Sequence, residues 1–134
     1  MKPATRDLKL NPPMPYSEDF KDHLANPRNA GELADANAVA ELTNPACGDR
    51  LRLTLRILDG RIAAARFLAY GCPPTLACGS VLAEMLEGIT TVEAARITRQ
   101  QLTKSLGGLP ARKSHAAALA IETLYAALNT LHTK

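Results

Sequence analysis

Two cysteines, an aspartate and a histidine are the residues of this chain best suited to chemistry. Cys47 and Asp49 sit in the turn-like string "NPACGD", residues 44–49, and Cys72 sits in "YGCPP", residues 70–74. Paired thiolates suit a soft or borderline metal: zinc, which takes four ligands in structural sites, or iron. Cys72 precedes a predicted helix N-terminus, a position that favours the thiolate. A fourth donor is sought among the three histidines, His23, His115 and His132. His115 opens the last predicted helix, directly after "GGLPARKS". The dipole there disfavours the imidazolium and keeps the ring neutral, as a ligand must be. His23 lies among acidic neighbours in an N-terminal helix, and His132 lies at the end of the chain. Plainer readings stand beside these: a solvated Asp49, an exposed helix-start His115, and cysteines that are small buried hydrophobes. The last reading is favoured for Cys78.

The elements around these residues follow from the pattern. From Arg50 the chain alternates, with Leu51, Leu53, Leu55 and Ile57 on one face and Arg50, Arg52, Thr54 and Arg56 on the other, as in a half-buried strand. Asp59-Gly60 is a two-residue hairpin turn, and residues 61–70 return as the partner strand. With Leu58 facing Arg61 and no bulge, counting outward puts Cys47 opposite Cys72. Directly opposed Cβ atoms lie about 4.5–5.5 Å apart. Asp49, two residues along, shares the face of Cys47. A bulge would change that register, and strands that stop early would leave both cysteines in loops.

The flanking elements are helical. Residues 16–25, "YSEDFKDHLA", form a short helix with Ser17 as N-cap and Phe20 and Leu24 as an apolar pair. Residues 31–41 fit a helix, a loop or an edge strand. Pro74 suits the first position of a helix that runs to about Glu87 and stops at Gly88. Its apolar stripe is Leu76, Val81, Leu82, Met85 and Leu86. Thr90 and Glu93 form a capping box that opens another helix carrying Val92, Ala95, Ile97 and Leu102. The last helix runs from Ser114 to about Leu131, with Ala117, Leu124, Leu128 and Leu131 on one side.

Composition narrows the field. The chain has 134 residues, which suits one domain. Residues 1–15 hold four of the nine prolines and no periodic pattern, and read as a flexible tail before a single domain at 16–134. The hydrophobic fraction of 46% is that of a folded protein. The net charge of +3 is mild and no aromatics interleave with a basic stripe, which argues against nucleic-acid binding. No apolar run approaches the roughly 20 residues that cross a bilayer, and no secretory signal opens the chain. The expected location is cytoplasmic, where thiols stay reduced. The odd number of cysteines, three, fits that setting. No Ser-His-Asp signature or phosphate-binding glycine loop supports a hydrolase or kinase.

The strings "YSEDFKDHLANPRNAG", "NPACGD", "ARFLAYGC" and "LPARKSH", in this order and near this spacing, resemble the iron–sulfur cluster assembly scaffolds of the IscU type, equivalent to the N-terminal domain of NifU. The resemblance covers nearly everything from Tyr16 onward. It implies an α+β fold, a small, mainly antiparallel sheet with helices packed on it and a long C-terminal helix. It implies a scaffold rather than an enzyme: one that takes sulfur from a cysteine desulfurase, collects iron, builds a transient [2Fe-2S] cluster and passes it to apo iron–sulfur proteins. The residues that match the family's metal ligands are Cys47, Asp49, Cys72 and His115; as persulfide acceptor Cys72 is the better candidate for its place near a helix N-terminus, with Cys47 the other. The family's third ligand cysteine falls at Ala116, which has no sulfur. After Cys72 the family's glycine and small polar residues are replaced by "PPTLACGS". The stretch read by an Hsp70-type chaperone corresponds to residues 109–113, where Leu109, Pro110 and Lys113 are kept. The alternatives to a cluster scaffold are a persulfide relay and a zinc-binding degenerate homologue that uses the same site.

Overall fold

The computed structural model describes residues 17–45, 48–109 and 113–130. Its elements, in chain order, are α1 (Glu18–Ala25), β1 (Ala38–Thr43), β2 (Arg50–Leu58), β3 (Arg61–Tyr70), α2 (Pro73–Leu86), α3 (Thr91–Ala94), α4 (Arg99–Ser105) and α5 (Ser114–Thr130). The three strands form one antiparallel sheet in the order β1-β2-β3, and α2 and α5 pack on it. This is the α+β architecture expected from the sequence. The ambiguous stretch before the hairpin resolves into a loop and the edge strand β1. No described helix is long and apolar enough to cross a membrane.

The alternation of β2 does what it predicts. Leu51, Leu53, Leu55 and Ile57 are buried under the helices, while Arg50, Arg52 and Arg56 lie on the other face. The arginines pair there with Glu32, Glu41 and Asp35. Thr54 is the exception on that face. It is buried because its hydroxyl accepts from Leu33 N at 3.1 Å and donates to Arg66 O at 3.2 Å.

The hairpin corrects the simple register. Leu58 pairs with Arg61 and Ile57 with Ile62, but Arg56 then pairs with Ala64, so Ala63 is an extra residue. Beyond this bulge every pairing shifts by one, ending at Arg50 with Tyr70. Bulge-free counting toward Cys47 and Cys72 therefore fails. The next step outward instead sets Asp49 across from Gly71. The bulge falls in the run Ala63-Ala64-Ala65, where side chains of equal size leave the pattern silent.

The helix ends are set by caps. Ser17 Oγ accepts from Phe20 N at 3.0 Å and donates to Leu106 O, which ties α1 to the end of α4. Thr90 and Glu93 make the expected capping box. A second box, Thr98 with Gln101, was not foreseen and divides the predicted single helix into α3 and α4. The division leaves Val92 61% exposed while Ile97 and Leu102 are buried. The helix α2 begins one residue earlier than expected, with Cys72 as N-cap and Pro73 and Pro74 in its first turn. It lies close to the sheet because of Gly79, where a Cβ would fall 2.5 Å from the Phe67 ring. Leu131 and His132 lie outside the described residues.

Candidate functional site

Three segments that are distant in sequence meet at the open end of the β2-β3 hairpin. Asp49 arrives from the β1-β2 turn, which closes through Asn44 N to Asp49 O at 2.7 Å and Gly48 N to Asn44 O at 2.7 Å. Cys72 arrives at the N-cap of α2, and His115 in the first turn of α5. One ligand atom from each of Asp49, Cys72 and His115 lies within 4.8 Å of the others. That set combines a hard oxygen, a borderline nitrogen and a soft sulfur. It suits iron or zinc better than magnesium or calcium, which take oxygen ligands.

Asp49 is only 3% exposed, and its burial depends on hydrogen bonds. Its Oδ1 accepts from Cys72 N at 3.2 Å. Its Oδ2 accepts from Cys72 Sγ at 2.9 Å and from Thr75 Oγ1 at 2.7 Å. The opposing residue, Gly71, has φ of +133°, and a Cβ there would fall 2.0 Å from Asp49 Oδ1. Glycine is thus required at 71 on two counts: the backbone angle, and the space that the carboxylate fills.

His115 completes the cluster from the other side. Its Nε2 is buried, lies 3.6 Å from Asp49 Oδ2 and has no hydrogen-bond partner among the described residues. A buried ring nitrogen left without a partner is costly unless something occupies its lone pair or takes its proton. His115 also borders a cavity of about 310 Å³ between α5 and the β1-β2 turn, lined by Asn44, Pro45 and Glu122. At the rim, Arg50 stacks over the Tyr70 ring at 4.6 Å.

The remaining candidates fall elsewhere. Cys47 and Pro110 lie outside the described residues. Cys78 is fully buried in the core, one turn into α2, and burial together with nearby Cys72 pushes its thiol up to about 12. It is not part of the cluster formed by Asp49, Cys72 and His115. Ala116 is buried in the same core. Leu109 packs against the core and Lys113 is half-buried just before α5. His23, which gave no functional signal, is a buried structural residue. Its Nδ1 is 2.7 Å from Ser80 Oγ and its Nε2 is 3.5 Å from Glu84 Oε1. Thr75 was missed as a member of the site. Its one signal in the sequence is its place three residues after Cys72, one helical turn along.

An α+β fold with an Asp-Cys-His cluster at the hairpin mouth is the class that the fold and site define. The family model for the NifU-like N terminal domain matches residues 15–134, and the chain belongs to that family. It is 40% identical over 113 residues to the "Iron-sulfur cluster assembly scaffold protein IscU 1" of Archaeoglobus fulgidus, covering 84% of this chain and 74% of that protein. It is 38% identical over 119 residues to the "Iron-sulfur cluster assembly scaffold protein IscU" of Haemophilus influenzae, covering 86% and 94%. Among solved structures, the N-terminal NifU-like protein of Brucella abortus superposes with a TM-score of 0.75 over 88% of this chain and 94% of that one. The two are 18% identical, and the likeness is one of fold.

Proposed function

We propose that this protein is an iron–sulfur cluster assembly scaffold. It collects iron and sulfide as a transient [2Fe-2S] cluster, its cargo, and passes that cluster to apo iron–sulfur proteins. Asp49, Cys72 and His115, joined by Cys47, are the proposed ligands. The observation that carries the reading is the convergence of three unlike ligand atoms within 4.8 Å, with the His115 Nε2 lacking a hydrogen-bond partner among the described residues and lying beside a buried carboxylate. The names of the relatives point the same way.

The chemistry of the ligand set fits a carrier. Thiolates hold iron–sulfur clusters, and a neutral imidazole can replace a thiolate on one iron. A carboxylate is a harder, poorer partner for such a cluster, which favours release over permanent storage. Having alanine at 116, where the family has a further cysteine, removes one sulfur and shifts the balance toward release. No turnover of an organic substrate is needed. The proposed partners are a cysteine desulfurase as sulfur donor, recipient apo-proteins, and an Hsp70-type chaperone that reads Leu109, Pro110 and Lys113. The proposed setting is the reducing cytoplasm.

Anaerobic reconstitution with ferrous iron, cysteine, a cysteine desulfurase and a reductant that brings persulfide sulfur to sulfide tests the reading. The expected result is the visible absorption of a [2Fe-2S] cluster, lost in Cys47→Ala and in Cys72→Ala. Persulfide on Cys72 or Cys47 with no chromophore would replace the scaffold by a sulfur relay. Tight zinc binding with neither would make the chain a zinc-binding homologue.

A further inference from the structure

We propose that Thr75 is a positioning residue of the cargo site, its hydroxyl fixing the Asp49 carboxylate against Cys72 and His115. The inference rests on the metal-binding reading of those three residues. It begins with the two prolines. The first amides of a helix have no partner within it and commonly hold an anion at that end. In α2 the first two positions are Pro73 and Pro74, which carry no N–H. The next amide, Thr75 N, is turned back to Cys72 O at 3.0 Å. The usual supply of backbone donors at this helix end is therefore reduced, beside a buried carboxylate.

The Thr75 side chain supplies a donor at this end of the helix. Its hydroxyl donates to Asp49 Oδ2 at 2.7 Å, shorter than the 3.2 Å bond from Cys72 N to Oδ1. Thr75 is 1% exposed, so water does not compete for that bond. Cys72 Sγ also donates to Oδ2, at 2.9 Å, a bond that needs the thiol proton. A metal-bound cysteine has given up that proton. The bond from Cys72 Sγ is therefore lost on loading, while those from Thr75 Oγ1 and Cys72 N need no such change. Thr75 Oγ1 is also 3.5 Å from Cys72 Sγ, within reach of both proposed ligands.

Cobalt(II) titration under anaerobic conditions tests this without any assembly reaction, because cobalt–thiolate bonds absorb in the near ultraviolet. Thr75→Val keeps the shape and removes the hydroxyl, and Thr75→Ser keeps the hydroxyl and removes the methyl. Loss of a group that orients a metal ligand costs about 10–100-fold in metal affinity. That weakening is expected in Thr75→Val, with Thr75→Ser close to the parent protein. Equal affinity of Thr75→Val and the parent overturns the proposal. So does a Thr75→Ser protein as weak as Thr75→Val, since the methyl rather than the hydroxyl would then matter. If Thr75→Val does not fold, Thr75→Ala is read in its place. A parent protein that shows no cobalt–thiolate band rejects the metal-site reading itself, and this role with it. A parent band with no effect of the hydroxyl rejects the role of Thr75 alone.

Discussion

The two ends of the β2-β3 hairpin solve the same geometric problem in different ways. At the closed end the chain reverses through Asp59 and Gly60, with φ of +53° and +75°. Nothing lies within 4 Å of where a Gly60 Cβ would stand. The open end also has a glycine with positive φ, Gly71, but its missing Cβ makes room for the Asp49 carboxylate. The closed end is a backbone turn between neighbours in sequence, steadied by Thr91 N to Gly60 O at 2.9 Å and Ile62 N to Ile89 O at 2.8 Å. The open end is a side-chain assembly in which Cys72 and Thr75 hydrogen-bond Asp49 and His115 approaches it from α5. A turn can be exchanged for another turn, whereas the assembly needs these side chains brought together from three segments.

The sharpest way to break this comparison is to add one methyl at each end. Gly60→Ala is expected to cost about 1–2 kcal/mol, the penalty of a left-handed backbone with a Cβ. Gly71→Ala is expected to cost about 3 kcal/mol or more, because a comparable strain is joined by displacement of a buried, hydrogen-bonded carboxylate. It should also abolish cobalt binding. Urea unfolding of the two variants checks the contrast, and equal losses of stability would dissolve it.

A smaller effect should come from pH, through the helix that carries Cys72. His23 joins α1 to α2 at Ser80, and Ser80 Oγ also accepts from Arg28 N at 2.7 Å. Burial, with some help from the Arg28 charge, lowers the His23 pKa below its ordinary 6.5, against the pull of Glu84, Asp22 and Asp19. The unfolded chain therefore binds a proton on this ring at a higher pH than the folded one does. The resulting stability is full above about pH 6.5 and is lost as pH falls from there toward the lowered folded-state value. Unfolding midpoints at pH 7.5 and 5.5 should differ more in the parent than in His23→Gln. The same dependence in both would remove His23 from the account.

The smallest change sharpens the comparison from the closed end. Thr90 caps α3 through Glu93 N at 3.1 Å, and the segment it caps straps the hairpin turn. Thr90→Ala is expected to cost about 1 kcal/mol in stability, the usual value of a lost N-cap. Cobalt affinity should stay that of the parent. A variant that weakens metal binding as well would show that the two ends are coupled.

Much of this was legible beforehand, and the unequal legibility has a cause. The β2 alternation, the Asp59-Gly60 turn, the Ser17 cap and the Thr90 box are preferences settled within a few residues. The Thr98 box is equally local, but the apolar spacing runs on across it and hides the break. The bulge could not be read from three alanines in a row. Thr75 gave little warning because its role depends on a carboxylate contributed from residue 49.

The sequence alone determined most of the strands and helices, β1 and the break between α3 and α4 apart, and placed Cys72 between a strand and a helix, because dihedral preferences and caps act between near neighbours. Tertiary structure alone decided that Asp49 is buried against Gly71, that Thr75 holds it, that Cys78 is sealed in the core, and that His115 arrives with a buried nitrogen unpartnered among the described residues. Those outcomes depend on a one-residue shift in strand register and on where α5 crosses the sheet. Both are set by packing over the whole domain.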